Sequence, residues 1–175
     1  MKPVAVFAVL AASAAMSASA QEKAPGALAD AASAEAIVSA LYEVISGPAG
    51  QPRDWKRFRN LFAPGARLVS AAPRRDGAAP VALSPDDYIA RTSDSLVKNG
   101  FFEKQVSRRV ESFGTITHVF STYESRRAAA EATPMARGIN SIQLMKHADR
   151  WWIVTVMWDQ ERPDNPIPAK YLGGK

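Results

Sequence analysis

The spacing of apolar residues changes once along this chain. Between residues 34 and 97 they recur every three or four places. Beyond residue 100 they come in long blocks rich in aromatic and β-branched side chains. The first regime predicts helices and the second predicts strands. Ile37, Leu41, Val44 and Ile45 share one face of a helix that Ser33 can cap and Gly47-Pro48 ends. A shorter helix follows. Asp54 caps it, Trp55, Phe58, Leu61 and Phe62 form its apolar stripe, and Lys56, Arg57 and Arg59 lie opposite. Residues 66–71 read as a short strand and residues 73–80 as a polar loop. Ser84-Pro85-Asp86-Asp87 then opens a third helix: a capping serine, a proline at the first turn, and acids at the positive end of the helix dipole. Tyr88, Ile89, Thr92 and Leu96 form its inward stripe, and Asn99-Gly100 closes it. Residues 101–112, 115–126, 138–147 and 151–160 read as long antiparallel strands separated by turn signals. Helices first and strands later make an α+β domain over residues 34–160.

The ends read differently. Lys2, an alanine-rich apolar run over residues 3–16 and the small-x-small triplet Ala18-Ser19-Ala20 have the form of a signal peptide over residues 1–20. The run is short for a membrane span. The expectation is cleavage after Ala20, a periplasmic or secreted location, and no membrane span afterwards. Residues 21–33, with Pro25 and Gly26, read as a flexible lead-in. Residues 161–175, with Pro163, Pro166 and Pro168, read as an extended tail lying over the body.

Composition removes several classes of chemistry. Cysteine is absent, which excludes disulfides and thiolate ligands, and the two histidines, His118 and His147, are too few for a structural zinc site. The net charge of +5 falls by one with the leader, whose only charged side chain is Lys2. No Lys/Arg block stands out, so a nucleic-acid partner is not expected. There is no glycine-rich phosphate loop, no metal-ligand cluster and no Ser-His-Asp ordering, so neither cofactor nor metal is expected.

Three stretches carry a resemblance. Trp55-x-x-Phe58-x-x-Leu61-Phe62 precedes a strand, the run from Phe113 to Glu124 reads F-G-T-I-T-H-V-F-S-T-Y-E, and the run from Arg150 to Trp158 reads R-W-W-I-V-T-V-M-W. With the element order, they resemble the nuclear transport factor 2-like superfamily, which holds ketosteroid isomerases, scytalone dehydratases and polyketide cyclases. The resemblance implies a cone-shaped, curved antiparallel sheet wrapped around three N-terminal helices, a pocket at its open end, and an outer sheet face that often forms a dimer. It settles no activity, because the superfamily includes enzymes, binding modules and transport adaptors. The catalytic Tyr and Asp positions of ketosteroid isomerases do not map onto this chain.

Alternation divides each strand into two sets. The sets containing Ile116, His118, Phe120, Thr122 and Glu124, then Asn140, Ile142 and Leu144, then Trp152, Val154, Val156 and Trp158, are the more apolar and are assigned to the concave face. A bulge would reverse the assignment. On that face His118 is the candidate proton-transfer group, its alternative being a structural histidine bonded to a neighbour. Tyr88, Arg108, Phe120, Glu124, Asn140 and Trp158 are candidate ligand-binding residues. Arg108 could meet a carboxylate or enolate, or could be held in a salt bridge. The second set, with Val119, Trp151, Ile153 and Met157, is also apolar and needs a cover: a second subunit as homodimer partner, or the C-terminal tail.

Three functions stay open on these grounds. The first is an exported pocket protein for a small apolar molecule. The second is an isomerase, dehydratase or cyclase using His118, and the third is a dimeric interaction module.

Overall fold

The computed structural model describes residues 25–73 and 77–173. Residues 1–20, read as a signal peptide from the sequence, lie outside the described residues. Among the described residues there are four α-helices: α1 (Pro25–Asp30), α2 (Ala34–Ile45), α3 (Trp55–Leu61) and α4 (Pro85–Asn99). Six strands form one sheet: β1 (Phe62–Ser70), β2 (Ala82–Leu83), β3 (Phe102–Phe113), β4 (Ile116–Arg126), β5 (Ala136–His147) and β6 (Arg150–Gln160).

The predicted caps form. Ser33 accepts the Ala36 N–H at 2.9 Å and Asp54 accepts the Arg57 N–H at 2.8 Å. Ser84 and Asp87 close a reciprocal capping box at α4. Gly100 follows α4 at φ 68°, and a Cβ there would lie 2.6 Å from the Arg127 carbonyl oxygen, so only glycine fits.

Sheet order is β2-β1-β6-β5-β4-β3. The four long strands form the antiparallel meander read from the sequence, but β1 runs parallel to β6, so the sheet is mixed. It curves around the helices without closing. The core is where α2 and α3 meet the sheet: Ile37, Phe58, Leu61, Ile142, Leu144 and Ile153 are its most enclosed apolar side chains.

Two expectations change here. The stretch read as a lead-in contains α1. Ala31, just after that helix, is fully buried, and its carbonyl accepts the Trp151 N–H at 2.9 Å. Two strands also carry an extra residue. The register slips between Gln105 and Ser107 in β3 and between Ile153 and Thr155 in β6, leaving Val106 and Val154 unpaired in the ladder. Each bulge turns the residues beyond it to the opposite face.

Residues 162–172 lie over the outer sheet face, where Ile167 is buried and Tyr171 packs edge-on against Phe120 at 5.0 Å between ring centroids.

Candidate functional site

The hollow of the sheet is not filled. A cavity of about 530 Å³ lies between α2, α4 and the inner faces of β3 to β6. Leu41 and Ile45 of α2, Phe58 of α3, Leu68 of β1, Leu96 of α4 and Val156 of β6 make its wall apolar. Polar groups enter at a few points, notably Tyr88, Thr92, Glu103, Tyr123 and Asn140. Tyr88 is fixed by stacking on Phe58 at 5.4 Å and by an edge contact with Trp158 at 6.5 Å. An apolar wall with a few convergent polar groups is the usual make-up of a small-molecule site.

Glu103 is its chemical centre. It stands one residue into β3, before the Val106 bulge, and points inward opposite Ser125. Asn140 Nδ2 donates to Glu103 Oε1 at 3.1 Å and to the Tyr42 hydroxyl at 3.1 Å. The Tyr42 hydroxyl meets Ser121 Oγ at 2.7 Å, and Gln105 Nε2 donates to the same Ser121 oxygen. Burial pushes the Glu103 carboxyl up from the ordinary 4.5 to about 7, against the lowering effect of the Asn140 hydrogen bond. Burial first, and the Glu103 carboxylate second, push the phenols of Tyr42, Tyr88 and Tyr123 above their ordinary value. They therefore stay protonated and remain hydrogen-bond donors. Glu103 also lines a second cleft of about 600 Å³ on the outside of the α2–β3 contact, with Ser46 and Gln105. One carboxyl thus faces an apolar cavity on one side and a solvent-reached cleft on the other. A group in that position, half-ionised near neutrality, can accept or donate a proton.

Three of the candidate residues line the central cavity: Tyr88, Asn140 and Trp158. Four do not. Arg108 is on the concave side but is held outside the cavity by Glu35 at 2.9 Å. His118, Phe120 and Glu124 lie on the outer face, a correction to the face assigned to β4. His118 Nε2 bonds Ser141 Oγ at 3.0 Å, and Glu124 pairs with Arg126 at 2.8 Å. The inward set of β4 is Thr117, Val119, Ser121, Tyr123 and Ser125, all buried. Its hydroxyls are accommodated inside by partners: Ser121 by Tyr42 and Gln105, Thr117 by Ser112. The apolar outward residue Phe120 is covered by the tail. On β6 the assignment is half right. Val156 and Trp158 face inward as expected, but below the Val154 bulge Ile153 is the inward residue, and Trp152 lies on the other side, under the Arg150 guanidinium at 3.7 Å.

Sequence reading missed Glu103, Tyr123 and Arg127 as cavity residues. Only the Val106 bulge distinguishes Glu103 from its solvent-facing strand mate Glu111, and no local signal marks that bulge.

No family model matches this chain, and no curated protein matches it in sequence. Solved structures do share its fold. A nuclear transport factor 2-like protein of unknown function from Silicibacter pomeroyi DSS-3 is 19% identical over 73% of this chain and 92% of its own, with a TM-score of 0.50. A candidate ketosteroid isomerase from Parabacteroides distasonis ATCC 8503 is 12% identical over 74% and 88%, with a TM-score of 0.51. A candidate dehydratase of the nuclear transport factor 2-like family from Streptomyces avermitilis is 12% identical over 71% and 91%, with a TM-score of 0.52. The chain has the nuclear transport factor 2-like fold.

Proposed function

We propose that this chain is an exported protein that binds a small, largely apolar molecule in its central cavity. The observation that carries the reading is the unfilled, mostly apolar hollow of about 530 Å³ with the Glu103–Asn140 pair set into its wall. The apolar wall supplies affinity and the few polar groups of the lining orient the ligand. Export rests on the leader, residues 1–20.

A second reading is favoured by the raised ionisation of Glu103. The cavity would then catalyse proton transfer on its ligand, as an isomerase, dehydratase or cyclase does, with Glu103 in the role first given to His118. The candidate isomerase and dehydratase among the structural neighbours are compatible with it. The outer face supplies the partner surface in this proposal. Ile116, Met145 and Met157 stay exposed there beside the tail, and a second copy of the chain would cover them.

Native mass spectrometry tests the whole reading. The protein is expressed with its leader, recovered from the cell envelope or medium, and incubated with a metabolite extract. The expected spectrum is a dimer of chains beginning at Gln21, each retaining a small molecule. Ala136→Trp, which fills the cavity mouth, is expected to keep the fold and lose that molecule. Wild-type protein that retains nothing from any extract refutes the binding reading.

A further inference from the structure

We propose that the ligand is an apolar body ending in a carboxylate, and that Arg127 at the cavity mouth reads that anion. This deepens the binding reading and rests on it. Arg127 is the sole cation among the residues lining the cavity. It follows β4 and is exposed, next to Met135, which is 49% exposed, so this end of the cavity is its opening.

Three other arginines near this end of the sheet are already occupied. Arg126 holds Glu124 at 2.8 Å, Arg137 holds Glu161 at 2.8 Å, and Arg162 holds Asp159 at 2.6 Å. The Arg127 guanidinium has no such partner among the described residues. Its backbone is nevertheless fixed from two sides. The Arg127 N–H donates to Glu131 Oε2 at 3.0 Å, and its carbonyl packs where Gly100 lacks a side chain. A guanidinium at an apolar opening, in no ion pair with a protein acid, matches a planar carboxylate, which it can bind through two parallel hydrogen bonds. Glu103, also in the wall, repels an anion. The ligand therefore enters apolar end first and leaves its carboxylate at the mouth.

Isothermal titration calorimetry on the full mature chain tests this with matched probes: naphthalene-2-carboxylate against naphthalene-2-carboxamide, and decanoate against decanamide. Wild type is expected to bind each carboxylate about tenfold more tightly than its amide, a preference that shrinks in high salt. Arg127→Gln is expected to bring the carboxylate to the amide's affinity and leave the amide unchanged, with Arg127→Lys in between. Because the side chain has no partner, both variants should fold, as circular dichroism will report. Equal binding of acid and amide by wild type, or a preference that survives Arg127→Gln, overturns this inference and leaves the cavity reading standing. Wild type that binds none of the four probes overturns both.

Discussion

Single residues carry most of the polar burden of this fold, and Glu103 and Arg53 carry the largest shares. Glu103 has a folded pKa of about 7 against the ordinary 4.5. Between those values the folded chain holds a proton that the unfolded chain has lost. Stability therefore falls as pH rises from about 4.5 to about 7 and is flat above that. Glu103→Gln removes the charge and keeps an oxygen for the Asn140 amide. Its melting temperature should match wild type at pH 4 and exceed it at pH 8, by a difference on the order of 3 kcal/mol in unfolding free energy. A constant offset across that range would show that the carboxyl is not buried as described.

Arg53 presents the opposite problem, a buried cation with no acid. Its guanidinium donates to the carbonyls of Ile45 at 3.0 Å, Gly47 at 2.6 Å and Leu96 at 3.1 Å, and also to Gln51. Ile45 and Leu96 lie in the last turns of α2 and α4, where the helix dipoles are negative. Arg53 thus ties two helix ends to the loop between α2 and α3. A Cβ on Gly47 would approach its Nη1 to 2.7 Å, which explains the glycine. Arg53→Met strands these carbonyls, and urea unfolding should show a loss of about 3 kcal/mol. A change below about 1 kcal/mol would mean that water replaces the guanidinium freely.

Among the elements, the tail is the one whose role is decided by what it covers. Arg109 Nη2 donates to the Lys170 carbonyl at 3.2 Å and Thr122 Oγ1 to the Tyr171 carbonyl at 2.6 Å, so the 3-10 turn Ala169–Tyr171 is fastened to β3 and β4. Ending the chain after Glu161 removes Ile167 and Tyr171 and uncovers Phe120 and Ile139. The truncated protein should melt about 5 °C lower and bind more of an apolar dye than the full chain does. Unchanged melting and dye binding would reduce the tail to a passenger.

The element scale also shows where legibility stopped. The Ser33, Asp54 and Ser84 caps place α2, α3 and α4 from local chemistry alone, and the strand blocks are equally plain. The start of β1 was missed: the strand was expected over residues 66–71, yet it begins at Phe62 and absorbs Pro64 and Gly65 where its pairing with β6 shifts. Helix α1 was missed because an alanine-rich stretch with Pro25 and Gly26 carries no periodic stripe, and its docking comes from packing around Ala31.

At the scale of the whole molecule, one sheet separates two chemistries. Its inner face holds the cavity, Glu103 and the buried hydroxyl network. Its outer face holds the tail, His118 and the residual apolar patch of Ile116, Met145 and Met157. The proposed dimer would use the outer face and leave the cavity mouth at Arg127 open, so binding and assembly need not compete.

From its sequence alone this protein determined helices α2, α3 and α4 with their caps, its four long strands and the α+β class. Each follows from contacts within a few residues, where spacing and capping chemistry are decisive. Tertiary structure alone decided which strand face looks inward, and with it the identity of the site. Both sets of β4 can be buried, one because Tyr42 and Gln105 receive its hydroxyls, the other because the tail covers Phe120. Alternation cannot choose between two buried faces, and bulges at Val106 and Val154 reset it without a local mark. So Glu103 and Arg127 become site residues only once distant segments close around them.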